Sequence, residues 1–162
     1  MVVHANPGPL EVRRAGERDL DDILRLLNQL HPDFPGAPEV ARERMAEIAR
    51  QAGRTLLVAA VGGNVVATAD LLVVPNLSHG GRPRAIVDNV VVDEAARGGG
   101  IGAALFAEIF RWTEDSGCYK VELVSLEHRR RAHAFYRRLG FEAMAIGFRR
   151  YAEGHGPTRH GE

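Results

Sequence analysis

The sequence predicts a mixed α/β domain in which a mixed, mostly antiparallel sheet is flanked by about four helices. Apolar residues recur at helical spacing across 19–30. Two β-rich segments, 55–61 and 65–74, flank a Gly-Gly-Asn turn that is typical of a hairpin. A valine-rich strand at 85–92 leads through a glycine turn into a helix at 100–116, and a crossover of this kind adds parallel pairing to a sheet.

The remaining elements follow from the same periodicities and from helix-ending glycines. Before the hairpin, the sequence predicts a strand at 10–15 and a charged helix at 39–51 that ends ahead of Gly53. After the glycine turn, it predicts a strand at 119–125, a helix at 129–139 closed by Gly140, and one or two strands within 141–150. The sheet would then have about six to seven strands. We expect a disordered segment at 1–9, the domain at 10–152 and a flexible tail at 153–162.

Composition narrows the class of protein. The chain has 162 residues, of which 45% are hydrophobic, and this is typical of one globular domain. Its 21 basic and 21 acidic residues balance, so we expect neither nucleic acid nor a membrane as a partner. No apolar run approaches the ~20 residues of a membrane span, and the single cysteine excludes an internal disulfide. The histidines are scattered, so no metal site is expected. Because the sequence shows neither a membrane span nor the paired cysteines of an oxidising compartment, we expect a cytoplasmic protein.

The glycine turn is the strongest functional signal in the chain. Such a turn exposes backbone N–H groups at a helix N-terminus, where the helix dipole adds partial positive charge, and it can therefore cradle a pyrophosphate. A Walker loop is excluded because Gly100 is followed by Ile101 and not by Lys-Ser/Thr. A dinucleotide fingerprint is matched only loosely by Gly98, Gly100 and Ala103, and the acidic residue it needs about 20 positions later is missing from the end of the next strand.

Two motifs identify a family resemblance. Arg97-x-x-Gly100-x-Gly102 after a valine-rich strand resembles the acetyl-CoA loop of the GNAT N-acetyltransferase superfamily. The segment from His128-Arg129 through Tyr136 to Gly140-Phe141 resembles the second signature of that superfamily. The resemblance covers about residues 11–151 and implies a GNAT-type sheet that splays between strands 4 and 5, with acetyl-CoA as co-substrate.

The resemblance also implies roles for particular residues. The pantetheine arm would bind the backbone of Val90, Val91 and Val92, with an N–H at the level of the last two also holding the oxyanion. Tyr136 would protonate the leaving thiolate. Many members carry Asn where this chain has Arg129, so this residue either meets the cofactor 3′-phosphate or an anionic substrate, or belongs to a solvated charge cluster. The pyrophosphate would be wrapped by Arg97, Gly98, Gly99, Gly100, Ile101, Gly102 and Ala103.

Asp88 is the candidate general base. In a regularly alternating strand, Asp88 shares a face with Val90 and Val92, and a carboxylate between apolar neighbours is costly unless it is used or paired. It either deprotonates the amine through a water molecule, as acids near this position do in the superfamily, or forms a structural ion pair with Arg82 or Arg84.

The expected function is acetyl transfer from acetyl-CoA to a primary amine of a small molecule by direct attack. Cys118 lies in no His/Asp arrangement and is expected to be structural. The alternative is a non-catalytic acetyl-CoA sensor or regulatory module. The chain shows local likeness to glucosamine-6-phosphate N-acetyltransferases but differs from them at Val124 and Arg129. We therefore do not expect the amino sugar acceptor of that family here. In the superfamily the early helices and the loop at 75–83 form the acceptor wall, and homodimers through the C-terminal strands are common, so a homodimer is possible here.

Overall fold

The computed structural model describes residues 8–153. The chain divides into two compact units, one up to Leu123 and one from Val124 onward, and each is described by itself. Most of the predicted disordered segment at 1–9 and of the predicted tail at 153–162 lies outside the described residues.

The first unit is built on a five-stranded sheet with the order β1-β2-β3-β4-β5. The first three neighbouring pairs are antiparallel, and β4 and β5 are parallel. The strands are β1 (Leu10–Arg14), β2 (Arg54–Val61), β3 (Asn64–Val74), β4 (Arg84–Val92) and β5 (Val121–Leu123). The helices of this unit are α1 (Leu20–Leu30), α2 (Pro38–Arg50) and α3 (Ile101–Asp115).

The core covers both faces of the sheet. On one face, Ile23 and Leu26 of α1 pack in a buried cluster with Val58, Val65 and Val91. Residues alternate across a strand, so the buried neighbours of Val58 on β2 belong to the opposite face. That face is covered by α3, which contacts β1 through β4 and contributes the buried side chains Leu105, Phe106 and Ile109.

The predicted hairpin is confirmed. Val61 pairs with Asn64, and the two residues between them, Gly62 and Gly63, have φ values of 57° and 87°. Positive φ at both central positions is the requirement of a type I′ turn, which suits the twist of the flanking strands.

The second unit contains α4 (Arg130–Arg138), close to its predicted bounds, and Gly140 follows it at φ 88°. The prediction of one or two strands within 141–150 is not confirmed, because the described residues there form no strand, and the described sheet has five strands instead of six to seven. Alternating apolar residues meet only one condition for a strand. The other is a partner that buries one face, and Met144, Ile146 and Phe148 are 83–93% exposed. The strand predicted at 119–125 is also shorter, at Val121–Leu123.

Candidate active site

The glycine turn lies between β4 and α3. Gly98 and Gly100 have φ values of 87° and 77°, and a Cβ at either residue would meet open space. Backbone conformation and not crowding therefore requires glycine at these two positions. The first helical hydrogen bond runs from the Ala104 N–H to the Gly100 carbonyl (3.0 Å), so the three N–H groups of Ile101, Gly102 and Ala103 precede the first helical donor. The turn thus presents donors and the positive end of α3 to one open surface.

Side chains hold the turn in shape from within. The Arg97 guanidinium folds back, with Nε donating to the Val92 carbonyl (3.1 Å) and Nη1 at 3.6 Å from Glu94 Oε1. The Asp93 carboxylate accepts the Ala95 N–H (3.0 Å) and caps the short 3-10 turn Glu94–Ala96. These contacts leave binding at the turn to the backbone.

Helix α1 braces the same turn through contacts that are not among the sequence-based expectations. Arg25 donates to the Asp93 carboxylate and also to the Val65 carbonyl (2.9 Å), and the Gln29 side chain accepts the Glu94 N–H (3.2 Å). The hydrogen bond from Arg25 lowers the pKa of Asp93, with the Ala95 N–H adding to the effect. No sequence pattern links residues so far apart, so only the folded chain reveals this brace.

Strand β4 carries a β-bulge. Thr68 pairs with Val91 and Asp70 pairs with Asp88, so β4 has one more residue between these pairs than β3 has. Asn89 in the bulge has φ 50°, a conformation that Asn tolerates better than most residues. The bulge interrupts the predicted alternation. Because cross-strand partners share a face, Asp88 lies on the same face as Val91, and not on the face of Val92 as expected.

The environment of Asp88 also differs from the prediction. Its side chain is exposed and accepts the N–H of Asn89 (2.8 Å), so the expected cost of a buried carboxylate does not apply. The structure gives both arginines considered as partners other contacts. Arg84 Nη1 lies 2.7 Å from Glu122 Oε1, and Arg82 Nε donates to the Gly117 carbonyl (3.3 Å).

On the other side of β4, its pairing with β5 is short. The parallel register joins Ala85–Val87 to Val121–Leu123 and ends there. In the described part of the chain, the β4 backbone from Asp88 to Val92 therefore has no β5 ladder partner. The Val92 carbonyl already accepts from Arg97 Nε, and the backbone groups before it that face away from β3 need another partner, which a ligand can supply.

The site combines a strand that extends beyond its pairing partner with a glycine turn at a helix N-terminus. Both features agree with the fold of the family that the chain matches. Residues 20–141 match the Acetyltransferase (GNAT) family. The chain belongs to the GNAT acetyltransferase family. The match confirms the family that the two motifs predict. This chain is therefore an acyltransferase that moves an acetyl group to an amine.

Relatives that are named for their activities support the assignment. This GNAT chain is 36% identical over 139 residues to glucosamine 6-phosphate N-acetyltransferase of Trypanosoma brucei brucei, covering 83% of this chain and 90% of that protein. It is 29% identical over 111 residues to aminoglycoside N(6')-acetyltransferase type 1 of Stenotrophomonas maltophilia, covering 67% and 72%. Among solved structures, a putative acetyltransferase from Agrobacterium tumefaciens str. C58 matches with a TM-score of 0.83 and 38% identity, covering 88% and 99%.

The remaining predicted residues of this GNAT domain lie in the second unit. Tyr136 lies on α4, and its half-buried ring is 5.9 Å from the Phe141 ring, edge to face, and 5.5 Å from the Phe135 ring. Its carbonyl accepts the Phe141 N–H (3.0 Å), which fixes the end of the helix against Gly140-Phe141. Arg129 is exposed at the position just before α4.

The described residues offer neither an activated thiol nor a cluster of metal-ligating side chains. Burial raises the pKa of the Cys118 thiol, while nearby Arg82 lowers it less, so the thiol is not activated as a nucleophile. No group of three or more His, Cys, Asp or Glu side chains within residues 8–153 could hold a metal ion. No helix in the same range is long and apolar enough to cross a membrane.

Proposed function

We propose that this GNAT enzyme transfers the acetyl group of acetyl-CoA to the primary amine of a small molecule by direct attack, without a covalent enzyme intermediate. The observation that carries the proposal is the open glycine turn at Gly98–Gly100 joined to the N-terminus of α3. Because Arg97 folds back into the turn, the backbone of residues 98–103 would hold the pyrophosphate.

The β4 backbone would hold the rest of acetyl-CoA. The amides of pantetheine would bond to Val90, Val91 and Val92, because β4 lies beyond its pairing with β5 there. An N–H at the level of Val91 and Val92 would polarise the thioester carbonyl and stabilise the oxyanion. Arg129, with the arginines after it, would meet the 3′-phosphate.

Two side chains would move protons. An ammonium with a pKa near ~10 must lose a proton before it attacks, and Asp88 would take it through a water molecule, which its exposed position allows. Tyr136 would donate to the CoA thiolate. Since a phenol has a pKa of about 10 and a thiol about 8.5, this transfer requires a hydrogen bond between the two in the complex.

Thermal unfolding with acetyl-CoA, CoA, NAD and ATP tests the binding site. A ligand at 100 times its Kd adds about 2.7 kcal/mol to the free energy of unfolding. We expect only acetyl-CoA and CoA to stabilise the chain. In a second assay, we expect CoA thiol to be released when an amine is added together with acetyl-CoA. Stabilisation by NAD or ATP alone would contradict the site, and acetyl-CoA binding with no turnover of any amine would favour the sensor.

The proton-donor role is tested by Tyr136→Phe. We expect kcat to fall about 100-fold or more with the Kd for acetyl-CoA nearly unchanged, since general acid catalysis contributes at least that much. Tyr151→Phe, at an exposed tyrosine of the same unit, is the matched control and should leave kcat unchanged. Full activity of Tyr136→Phe would eliminate the role.

We also propose a homodimer that covers the segment at 141–150. Met144, Ile146 and Phe148 alternate in sequence and are 83–93% exposed, as expected of a segment whose apolar face needs a partner. Sedimentation should show a dimer for the unmodified chain and a monomer for Phe148→Glu, with Glu142→Gln as the control. A monomeric unmodified chain would refute this assembly.

A further inference from the structure

The first unit contains a cavity of about 140 Å³ between α1, α2 and one face of β2, β3 and β4. Apolar side chains form most of its helical wall. An apolar cavity of about 150 Å³ accommodates a benzene-sized group, so the volume suits a compact ring or a branched alkyl chain. The apolar side chains that the two helices contribute are Leu20, Ile23, Leu24, Leu27, Met45 and Ile48.

The polar groups along the cavity already have partners. Asp70 is 2% exposed and accepts hydrogen bonds from the Arg54 guanidinium, with Nε at 3.0 Å from Oδ1. The Thr68 hydroxyl donates to the Leu57 carbonyl (2.9 Å). At the α2 side, Arg44 pairs with Glu47. A polar ligand would therefore have to compete with these contacts, whereas an apolar one leaves them intact.

Two carboxylates lie at or near one end of the cavity. Asn89 lines the cavity, and Asp88, the residue before it, lies directly across from Asp70 on the same sheet face. The hydrogen bond to Asp70 raises the pKa of Arg54 against the lowering effect of burial, and the charge of Asp88 raises it further. Two carboxylates and one guanidinium leave this group of three with one net negative charge, which an ammonium ion complements.

Resting on the proposed acetyl transfer, we propose that the acceptor is a primary amine bearing a compact apolar group, which fills the cavity while the amine lies beside Asp88. An amino sugar phosphate fits this site poorly. Its hydroxyls would face leucine and methionine side chains, and Arg44 and Arg54, the two arginines that line the cavity, already pair with Glu47 and Asp70. The proposed acceptor therefore differs from the one for which the relative in Trypanosoma brucei brucei is named.

A substrate panel tests the inference directly. With acetyl-CoA saturating, thiol release is measured for benzylamine, 3-methylbutylamine, ethanolamine and glucosamine 6-phosphate. We expect kcat/KM for the two apolar amines to exceed that for the two polar acceptors by about 10-fold or more, since one well-filled apolar pocket discriminates by that order. A preference for glucosamine 6-phosphate would overturn the cavity assignment and leave acetyl transfer standing. Turnover of no amine would overturn both.

A pair of alanines on α2 provides matched variants. Ala41 lines the cavity, whereas Ala46 is exposed on the same helix. Ala41→Leu should raise KM for benzylamine about 10-fold and leave KM for ethanolamine nearly unchanged, and Ala46→Leu should change neither. An equal effect of Ala41→Leu on both amines would contradict the inference.

A second variant keeps the test independent of how well Ala41→Leu folds. Met45→Ala enlarges the cavity from the same helix and should shift the preference from benzylamine toward 4-phenylbutylamine. An unchanged preference in a folded Met45→Ala variant would also overturn the proposal.

Discussion

The glycine turn and the α1–α2 cavity differ in how the chain builds them. Residues 93–103 are contiguous and present mainly backbone groups, which have the same chemistry whatever the side chain. The side chains that line the cavity come from α1, α2, β2, β3 and β4, at positions between 20 and 89. A contiguous backbone site leaves a readable motif, while a side-chain site assembled from five elements does not. The class of reaction is therefore easier to infer from this sequence than the acceptor.

The largest effect should come from the backbone of the turn. Gly100→Val places a β-branched residue at φ 77°, and strain of this kind costs about 1–3 kcal/mol. We expect acetyl-CoA binding to weaken about 10- to 100-fold by isothermal titration, because the N–H groups after residue 100 lose their common orientation.

Gly99→Ala is the matched control for that variant. Gly99 has no positive φ, and a Cβ there would make an ordinary 3.6 Å contact with the Ala96 carbonyl. Its acetyl-CoA affinity should stay within about 3-fold of the unmodified chain. Equal losses in both variants would show that side-chain bulk above the turn matters and that the backbone conformation does not set affinity.

The same contrast explains what the sequence could predict of the fold. The hairpin at Gly62-Gly63 and the helix ends at Gly117 and Gly140 were predictable because local backbone chemistry decides them. The bulge at Asn89 was not, since Asn occurs in regular strands as well, and the cross-strand register that reveals the bulge is a tertiary property. The pattern at 141–150 was misleading for the same reason, because alternation does not supply a pairing partner.

The candidate site divides in the same way. The motifs led directly to the residues of the glycine turn, whereas Arg25, Arg54 and Asp70 were missed. Each of these three acts through a partner at least 16 positions away in the chain. Only a folded chain or a record of covarying pairs would connect them.

Helix α1 joins the two regions, so a variant of α1 tests whether they are independent. Arg25→Met removes the contacts to Asp93 and the Val65 carbonyl but keeps a long side chain on the helix. We expect acetyl-CoA affinity to fall about 3- to 10-fold, with a loss of about 1 kcal/mol in the free energy of unfolding.

Arg42→Met, at an exposed residue of α2, is the control for Arg25→Met and should change acetyl-CoA affinity by less than about 2-fold. An unchanged affinity in Arg25→Met would show that the turn holds its shape without α1, and the two regions would then be separate modules.

The smallest effect concerns how α1 is anchored at its start. Asp19 is 3% exposed, and its carboxylate accepts from both Arg13 Nη1 (2.7 Å) and Nη2 (2.8 Å) and from the Gly16 N–H (2.7 Å). The hydrogen bond from Arg13 lowers the pKa of Asp19 despite burial, and the Gly16 N–H adds to it. A lowered pKa in the folded chain means that this carboxylate stabilises the fold above its unfolded pKa of about 3.9, and that the stabilisation is lost as pH falls through the folded pKa.

Asp19→Asn should therefore destabilise the chain at pH 7, and the difference from the unmodified chain should shrink as pH falls below about 4. Urea unfolding at pH 7, 5 and 3.5 measures this, with Asp33→Asn in the exposed loop as the control. Because α1 both walls the cavity and braces the turn, loosening its start at pH 7 should raise the KM for an apolar amine and the Kd for acetyl-CoA together. A rise in the amine KM alone would show that the brace at Arg25 holds the turn even when the anchor at Asp19 is lost, and would locate the flexibility of α1 on the acceptor side.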